Sequence, residues 1–202
     1  YARKIGKSAS PMPPIDRLES GDTVYLSACD SSGVMVSFIQ SNYFGFGSGI
    51  VVPGTGIALQ NRGWGFTLER GHPNEVGPDK KPFHTIIPGF LTKGSASFGS
   101  FGVMGGPMQA QGHLQMINRI VNYHQNPQAA SDAPRWQILS DFSVAVEPGF
   151  PSSVAEGLVE RGHKVKYMTS YHSFGGAQIV LNNDNGYVAG SDHRKEGAAV
   201  GF

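Results

Sequence analysis

From Thr23 onward, apolar and polar side chains fall into a strand-like, two-residue alternation, and that period predicts β-structure. Thr23–Cys29 and Val34–Ile39 form the first expected pair. The intervening Asp30-Ser31-Ser32-Gly33 is a hairpin signal, because Gly33 accepts the positive φ of a tight turn. Gly45-Phe46-Gly47-Ser48-Gly49 reads as a flexible loop, Ile50–Val52 and Gly56–Gln60 as short strands, and Asn61–Lys81 as polar loop. Thr85–Phe90 and Ser97–Met104 read as further strands. The period then changes. Gly105-Gly106-Pro107 opens a helix, with Pro suited to a first helical position. Leu114, Ile117 and Val121 recur at helical spacing with Ile120 beside them, and Asn126-Pro127 is expected to end the segment. A shorter helix is expected over Ser152–Arg161, capped by Ser152 or Ser153 and stopped by Gly162. Gly176–Leu181 and Tyr187–Ser191 close the chain as strands around the turn Asn182-Asn183-Asp184-Asn185-Gly186. Strands, then helices, then strands imply an α+β layered fold with antiparallel sheet. Residues 1–22 begin basic and continue through a Ser/Pro connector, so they read as a tail or linker before a single unit over 23–202.

Composition narrows the function more than the fold. Hydrophobic residues make up 39% and charged residues 15%, too apolar a balance for a disordered chain. The net charge of +1 and the lack of a Lys/Arg run remove the electrostatic footprint of a nucleic-acid binder. No apolar stretch nears the roughly 20 residues that span a bilayer. A cytoplasmic location without membrane or nucleic-acid partners is the resulting expectation. Cys29 has no second cysteine to pair with, and its strand-like setting predicts a buried thiol. The seven histidines show no ligand spacing, so chemistry without metal or cofactor is expected. No P-loop, no dinucleotide glycine motif after a strand and no G-x-S-x-G elbow occurs.

Two places carry chemistry of their own. A threonine at position 23, once freed as a chain N-terminus, holds a nucleophilic hydroxyl and a proton-accepting α-amine in one residue. Gly105-Gly106 follows a strand and starts a helix, a setting that can turn backbone N–H groups toward a developing oxyanion. A plain strand-to-helix turn is the alternative reading of the same glycines. His84, beside Thr85, is either a site residue or a strand-end histidine bonded to backbone.

With those residues in view, the stretch from Thr23 to Phe202 resembles the small subunit of the γ-glutamyltransferase family of N-terminal nucleophile hydrolases. The likeness rests on the Thr23 strand ending in Asp30, Phe46-Gly47-Ser48-Gly49-Ile50-Val51, Gly56-Ile57-Ala58-Leu59-Gln60-Asn61, Gly105-Gly106, Asp132-Ala133-Pro134-Arg135 and Ser191-Asp192-His193-Arg194-Lys195-Glu196-Gly197. It implies a four-layer αββα sandwich completed by a large subunit absent from this chain. It also implies a precursor that cuts itself between Asp22 and Thr23, which makes residues 1–22 the end of the large subunit. Carried over, Thr23 is the nucleophile, Ser41 supports its hydroxyl, and Gly105 and Gly106 form the oxyanion hole.

The departures from the family pattern bear on substrate. Gly65 stands where γ-glutamyl enzymes hold the substrate ammonium with an acid, and Arg62 replaces a usual amide. The pair that binds the α-carboxylate reads His84-Thr85, and Tyr43 replaces a small polar residue. An ammonium-binding acid has gone and a cation has arrived at a different position of the same loop. A small amide bearing a carboxylate, such as oxamate or a glutaryl amide, therefore fits better than a γ-glutamyl donor, since Arg62 can fork onto a carboxylate. The resemblance thus points to the family's amidohydrolase and acylase branch. A γ-glutamyltransferase or glutathione hydrolase, and an unprocessed non-catalytic member, are the alternatives.

Overall fold

The computed structural model describes residues 23–86, 88–183 and 185–202. The expected tail over 1–22, including Asp22 of the expected cleavage site, lies outside the described residues. The chain folds as α+β. Strands β1 (Thr23–Cys29) and β2 (Met35–Ser41) form an antiparallel hairpin sheet. Its turn is held by Asp30, whose carboxylate accepts from the Ser32 and Val34 N–H groups, and Gly33 takes φ 89°.

A second, antiparallel sheet runs in the order β3 (Gly89–Lys93), β4 (Ala96–Met104), β8 (Gly176–Asn183), β9 (Gly186–Ser191). One face of this sheet meets the β1–β2 hairpin. The other carries α1 (Met108–Ile117) and α2 (Pro127–Asp132). Strand β4 alternates between the two. Phe101 and Val103 join Met116, Ile120, Ala130, Ala177, Ile179 and Leu181 in the apolar core under the helices. Ser100 and Gly102 face the hairpin, against Ser27 and Tyr25.

Several sequence expectations need correction. Ile50–Val52 and Gly56–Gln60 are not strands. Only Val51 and Ala58 form a bridge, because no neighbouring strand continues the ladder on either side among the described residues. The Gly45–Gly49 loop is not free, since Ser48 N–H donates to the Leu59 carbonyl at 2.8 Å and the Asn61 amide holds the Phe44 and Gly47 carbonyls. The strand expected over Thr85–Phe90 starts only at Gly89: Pro88 has no N–H for a ladder, and the Ile86 N–H is taken by the His84 ring. His84 therefore bonds backbone, but in a loop.

Helix α1 buries Met108, Gly112, Gln115 and Met116 rather than the expected stripe, and Leu114 is 59% exposed and Val121 46%. Gly112 sets this rotation: a Cβ there would lie 2.6 Å from Val103 Cγ1, so helix and strand approach on the glycine side. Beyond Ile117 the chain continues as a π-helical turn, Asn118–Asn122. Asn126-Pro127 then begins α2 instead of merely ending α1, with the Asn126 side chain accepting from Ala129 N–H at 2.8 Å.

Between α2 and β8 lies a small mixed sheet that the pattern did not predict: β5 (Trp136–Ile138), β6 (Val144–Val146) and β7 (Val165–Tyr167). Strands β6 and β7 are parallel and joined by α3 (Ser152–Glu160), so the all-antiparallel expectation fails here. Helix α3 stops at Gly162 (φ 88°) as expected, but neither Ser152 nor Ser153 caps it: Pro151 precedes it without a side-chain cap. Cys29 is half-buried rather than buried, and its thiol is pushed up first by desolvation and then by Asp30. No helix among the described residues is long and apolar enough to cross a membrane.

Candidate active site

The packing of β1 on β4 sets the geometry. Ser27 Oγ donates to the Ser100 carbonyl at 3.0 Å and touches the Ser100 hydroxyl. Two residues back, the Tyr25 ring lies flat over Gly102, where any Cβ would come within 2.6 Å of it. Thr23 stands two residues beyond Tyr25 along β1, as Met104, the residue before Gly105, stands two beyond Gly102 along β4. Residues 23, 25, 27 and 29 point inward, as the alternating burial of β1 requires. Tyr25 is buried, and its hydroxyl pairs with Ser37 Oγ at 2.7 Å. Desolvation raises its pKa, partly opposed by that bond.

Thr23 pairs with Ser41 across the hairpin, and Thr23 Oγ1 donates to Ser41 Oγ at 2.8 Å. Ser41 Oγ also accepts from the Tyr43 N–H at 3.0 Å. Tyr43 adopts φ 79°, a left-handed conformation that costs a bulky residue on the order of 1–3 kcal/mol and is found where surrounding contacts over-determine the backbone. Its ring lies beside Phe44, with centroids 4.1 Å apart, and the Arg62 guanidinium sits 5.1 Å from the Tyr43 ring centroid. Arg62 Nη1 donates to Thr85 Oγ1 at 3.2 Å. Partial burial lowers the Arg62 pKa, opposed by Tyr43, and the group stays cationic. Thr85 is itself buried. Thr85 and His84 line a cavity of about 40 Å³ together with Phe83, Gly106, Pro107, Gln109 and Ala110.

A path of contacts therefore joins Thr23, Ser41, Tyr43, Arg62 and Thr85, and Thr85 lines one cavity with His84 and Gly106. Gly105 and Gly106 take φ 143° and 57°. Their carbonyls accept from Met108 and Gln109 N–H, which starts α1, while both glycine N–H groups lie outside those bonds. The structure links Thr23 through these contacts to Thr85, while Gly105 packs against Gly175 and Met108. It adds Asn61, which fixes Phe44 through both atoms of its amide. The run Leu59-Gln60-Asn61 was visible in the sequence, but nothing local said which backbone Asn61 would hold. No group of three His, Cys, Asp or Glu side chains among the described residues is arranged to hold a metal ion.

Comparison with known proteins identifies the family. The family model described as gamma-glutamyltranspeptidase matches residues 2–202. A glutathione hydrolase-like proenzyme of Bacillus subtilis is 36% identical over 211 residues, covering 100% of this chain and 40% of the relative. The oxamate amidohydrolase proenzyme of Klebsiella pneumoniae is 36% identical over 189 residues, covering 90% and 36%. Among solved structures, cephalosporin acylase from Bacillus halodurans superposes with a TM-score of 0.79 at 52% identity, covering 86% of this chain and 33% of that one. The chain therefore spans two fifths or less of the length of these relatives.

Proposed function

The chain belongs to the γ-glutamyltranspeptidase family, and we propose that it is the catalytic part of a self-processing amide hydrolase that works through Thr23. The observation that carries this reading is the Thr23–Ser41 hydroxyl pair at 2.8 Å at the start of β1, the strand whose Tyr25 and Ser27 pack on β4, and β4 leads into Gly105 and Gly106. Cleavage of the Asp22–Thr23 bond frees the Thr23 α-amine. The Thr23 hydroxyl then attacks the substrate carbonyl carbon and passes its proton to that amine. The Gly105 and Gly106 N–H groups hold the resulting oxyanion. As the tetrahedral intermediate collapses, the C–N bond breaks and the leaving amine takes the proton from the α-ammonium. Water then attacks the Thr23 ester and loses its proton to the α-amine; the ester C–O bond breaks, Thr23 Oγ1 takes that proton back from the α-ammonium, and the acid leaves.

The acyl group we propose carries a carboxylate, as in oxamate or a glutaryl amide. Arg62 supports this, because Thr85 and the Tyr43 ring hold its charge in place beside the site. His84 and Thr85 would complete that end of the pocket. The identity to an oxamate amidohydrolase points the same way. An equal identity to a glutathione hydrolase-like protein supports γ-glutamyl hydrolysis as the second reading. Rates on a γ-glutamyl anilide against a glutaryl or oxamyl amide separate the two.

We further propose that the remaining length of the relatives is matched here by a large subunit, and that residues 1–22 are its end. The outer face of the β1–β2 hairpin supports this: Val24, Leu26, Val36 and Phe38 are all 43–63% exposed there, an apolar surface that a fourth layer would cover.

The test is the Thr23→Ala variant of the full-length protein. We expect it to fold, to remain a single chain by mass, and to lose turnover by more than about 10⁴-fold. Turnover retained in that variant refutes the mechanism. A wild-type protein that stays one intact chain marks an unprocessed, non-catalytic member. Arg62→Gln is expected to raise KM for an anionic amide by about tenfold, the worth of one charge-assisted hydrogen bond, with a smaller fall in kcat. The opposite split reassigns Arg62 to structure.

A further inference from the structure

The buried charges lie behind the site, not in it. Arg135, Glu147, Asp192 and Arg194 form one network with side chains 2% exposed or less. Arg194 pairs with Glu147 at 2.6 Å and with Asp192 at 3.0 Å, and Arg135 pairs with Asp192 at 2.5 Å. Burial pushes the Asp192 carboxyl pKa up, yet the Arg135 and Arg194 guanidinium groups outweigh it and hold the group below the usual carboxylate range. Such a network is a poor source of net stability, because desolvating four charges offsets most of their attraction. Its conformational consequence is the more informative property.

Arg135 is forked. One end holds Asp192 and the Ser131 carbonyl, and Nη1 donates to the Phe174 carbonyl at 2.9 Å. Asp192 in turn accepts from the Ala177 N–H at 2.7 Å, and its own N–H donates to the Ala177 carbonyl at 3.0 Å. Residues 174–177 are thus fixed at both ends. Between them sits Gly175, at φ 73°. It is pressed against the strand end below the site: a Cβ on Gly175 would overlap the Met104 carbonyl oxygen, and one on Gly105 would lie 2.8 Å from the Gly175 Cα. Two glycine backbones touch, with no side chain between them to absorb a shift.

We infer that Arg135, braced by Asp192, is a positioning residue that sets the orientation of the Gly105 peptide through Phe174 and Gly175. Any displacement of the Phe174 carbonyl is passed to Gly105 by direct backbone contact. The consequence for rate rests on the assignment of Gly105 and Gly106 as oxyanion donors. The conformational claim does not.

The experiment uses the full-length protein and three variants. Arg135→Lys keeps a cation beside Asp192 but cannot also reach the Phe174 carbonyl. Gly175→Ala pushes on Met104 and Gly105 directly. Ile120→Ala, in the helix core, is the control for destabilisation alone. At a temperature where all are folded, Arg135→Lys and Gly175→Ala are expected to lower kcat on the anionic amide by about 10- to 100-fold with KM within about twofold. Affinity for an alkylboronic acid, whose tetrahedral adduct on Thr23 places an oxygen in the hole, should fall by the same factor. Ile120→Ala should lower the melting temperature and leave both unchanged. If Arg135→Lys matches Ile120→Ala, lower in Tm and unchanged in kcat, the positioning role is overturned. Should the wild-type protein show no turnover, the Thr23 assignment fails, and the Gly105 and Gly106 amide resonances of glycine-labelled protein decide the conformational claim. Resonances that move in Arg135→Lys but not in Ile120→Ala support it, and unmoved resonances overturn it.

Discussion

The two faces of the four-stranded sheet are built from the same strand and serve opposite ends. Toward the helices, β4 presents Phe101 and Val103 to Met116, Ile120 and Ile179, a packed apolar layer whose burial stabilises the fold. Toward the hairpin it presents Ser100 and Gly102, both buried but with almost no apolar side chain of their own. At that second interface the buried apolar surface comes from the Tyr25 ring rather than from β4. The interface gains close approach: a glycine under the Tyr25 ring and a serine pair let β1 settle on β4 in one register. The contrast teaches that the apolar core and the seating of β1 on β4 are separable here, residue by residue along one strand.

The largest expected effect breaks the apolar face. Phe101→Ala should cost about 3–5 kcal/mol in urea unfolding, with kcat per folded molecule nearly unchanged. Loss of kcat at preserved stability would erase the distinction between the faces. Next comes pH. His113 lies on the helix side, where its Nε2 accepts from Val103 N–H at 3.0 Å, and burial holds its pKa down at about 4 against an ordinary 6.5. The unfolded chain therefore binds this proton first. Stability is full above pH 6.5 and falls as pH drops toward 4, by about 3 kcal/mol. His113→Gln, which keeps an acceptor but does not titrate, should flatten that part of the unfolding profile. An unchanged slope would place the acid sensitivity elsewhere. The smallest stability effect belongs to the hairpin side. Gly102→Ala places a methyl 2.6–2.7 Å from Tyr25 ring carbons and should cost about 1–3 kcal/mol, yet lower kcat at least about tenfold by lifting β1 off β4. Adding Tyr25→Leu should restore part of the rate. Failure of that pair to recover would mean the register of β1 is set by something other than this contact.

Legibility followed the range of the interactions. The hairpin around Asp30 and Gly33, the closing pair of strands and the stop at Gly162 were readable because each depends on a few neighbouring residues. The three-residue strands β5, β6 and β7 were not, since three positions carry no period and a parallel pair depends on a crossover. The face that α1 buries was misread for a related reason: Leu114, Ile117 and Val121 form a sound apolar stripe, but Gly112 permits the closer approach and wins. At the site, residue types were readable and partners were not. Arg135 and Asp192 stood out only as parts of motifs, with no hint that Phe174, 39 residues from Arg135, joined them.

By itself the sequence determined the chemistry available: a threonine at a strand start, paired glycines before a helix, an arginine in the loop from which an acid is missing, and an α+β order of elements. Those are properties of residue type and local period. Which of these groups meet was decided only by the tertiary structure, because Ser27 reaches Ser100 across 73 residues and the register between two stacked sheets is set by close contacts that no local pattern encodes.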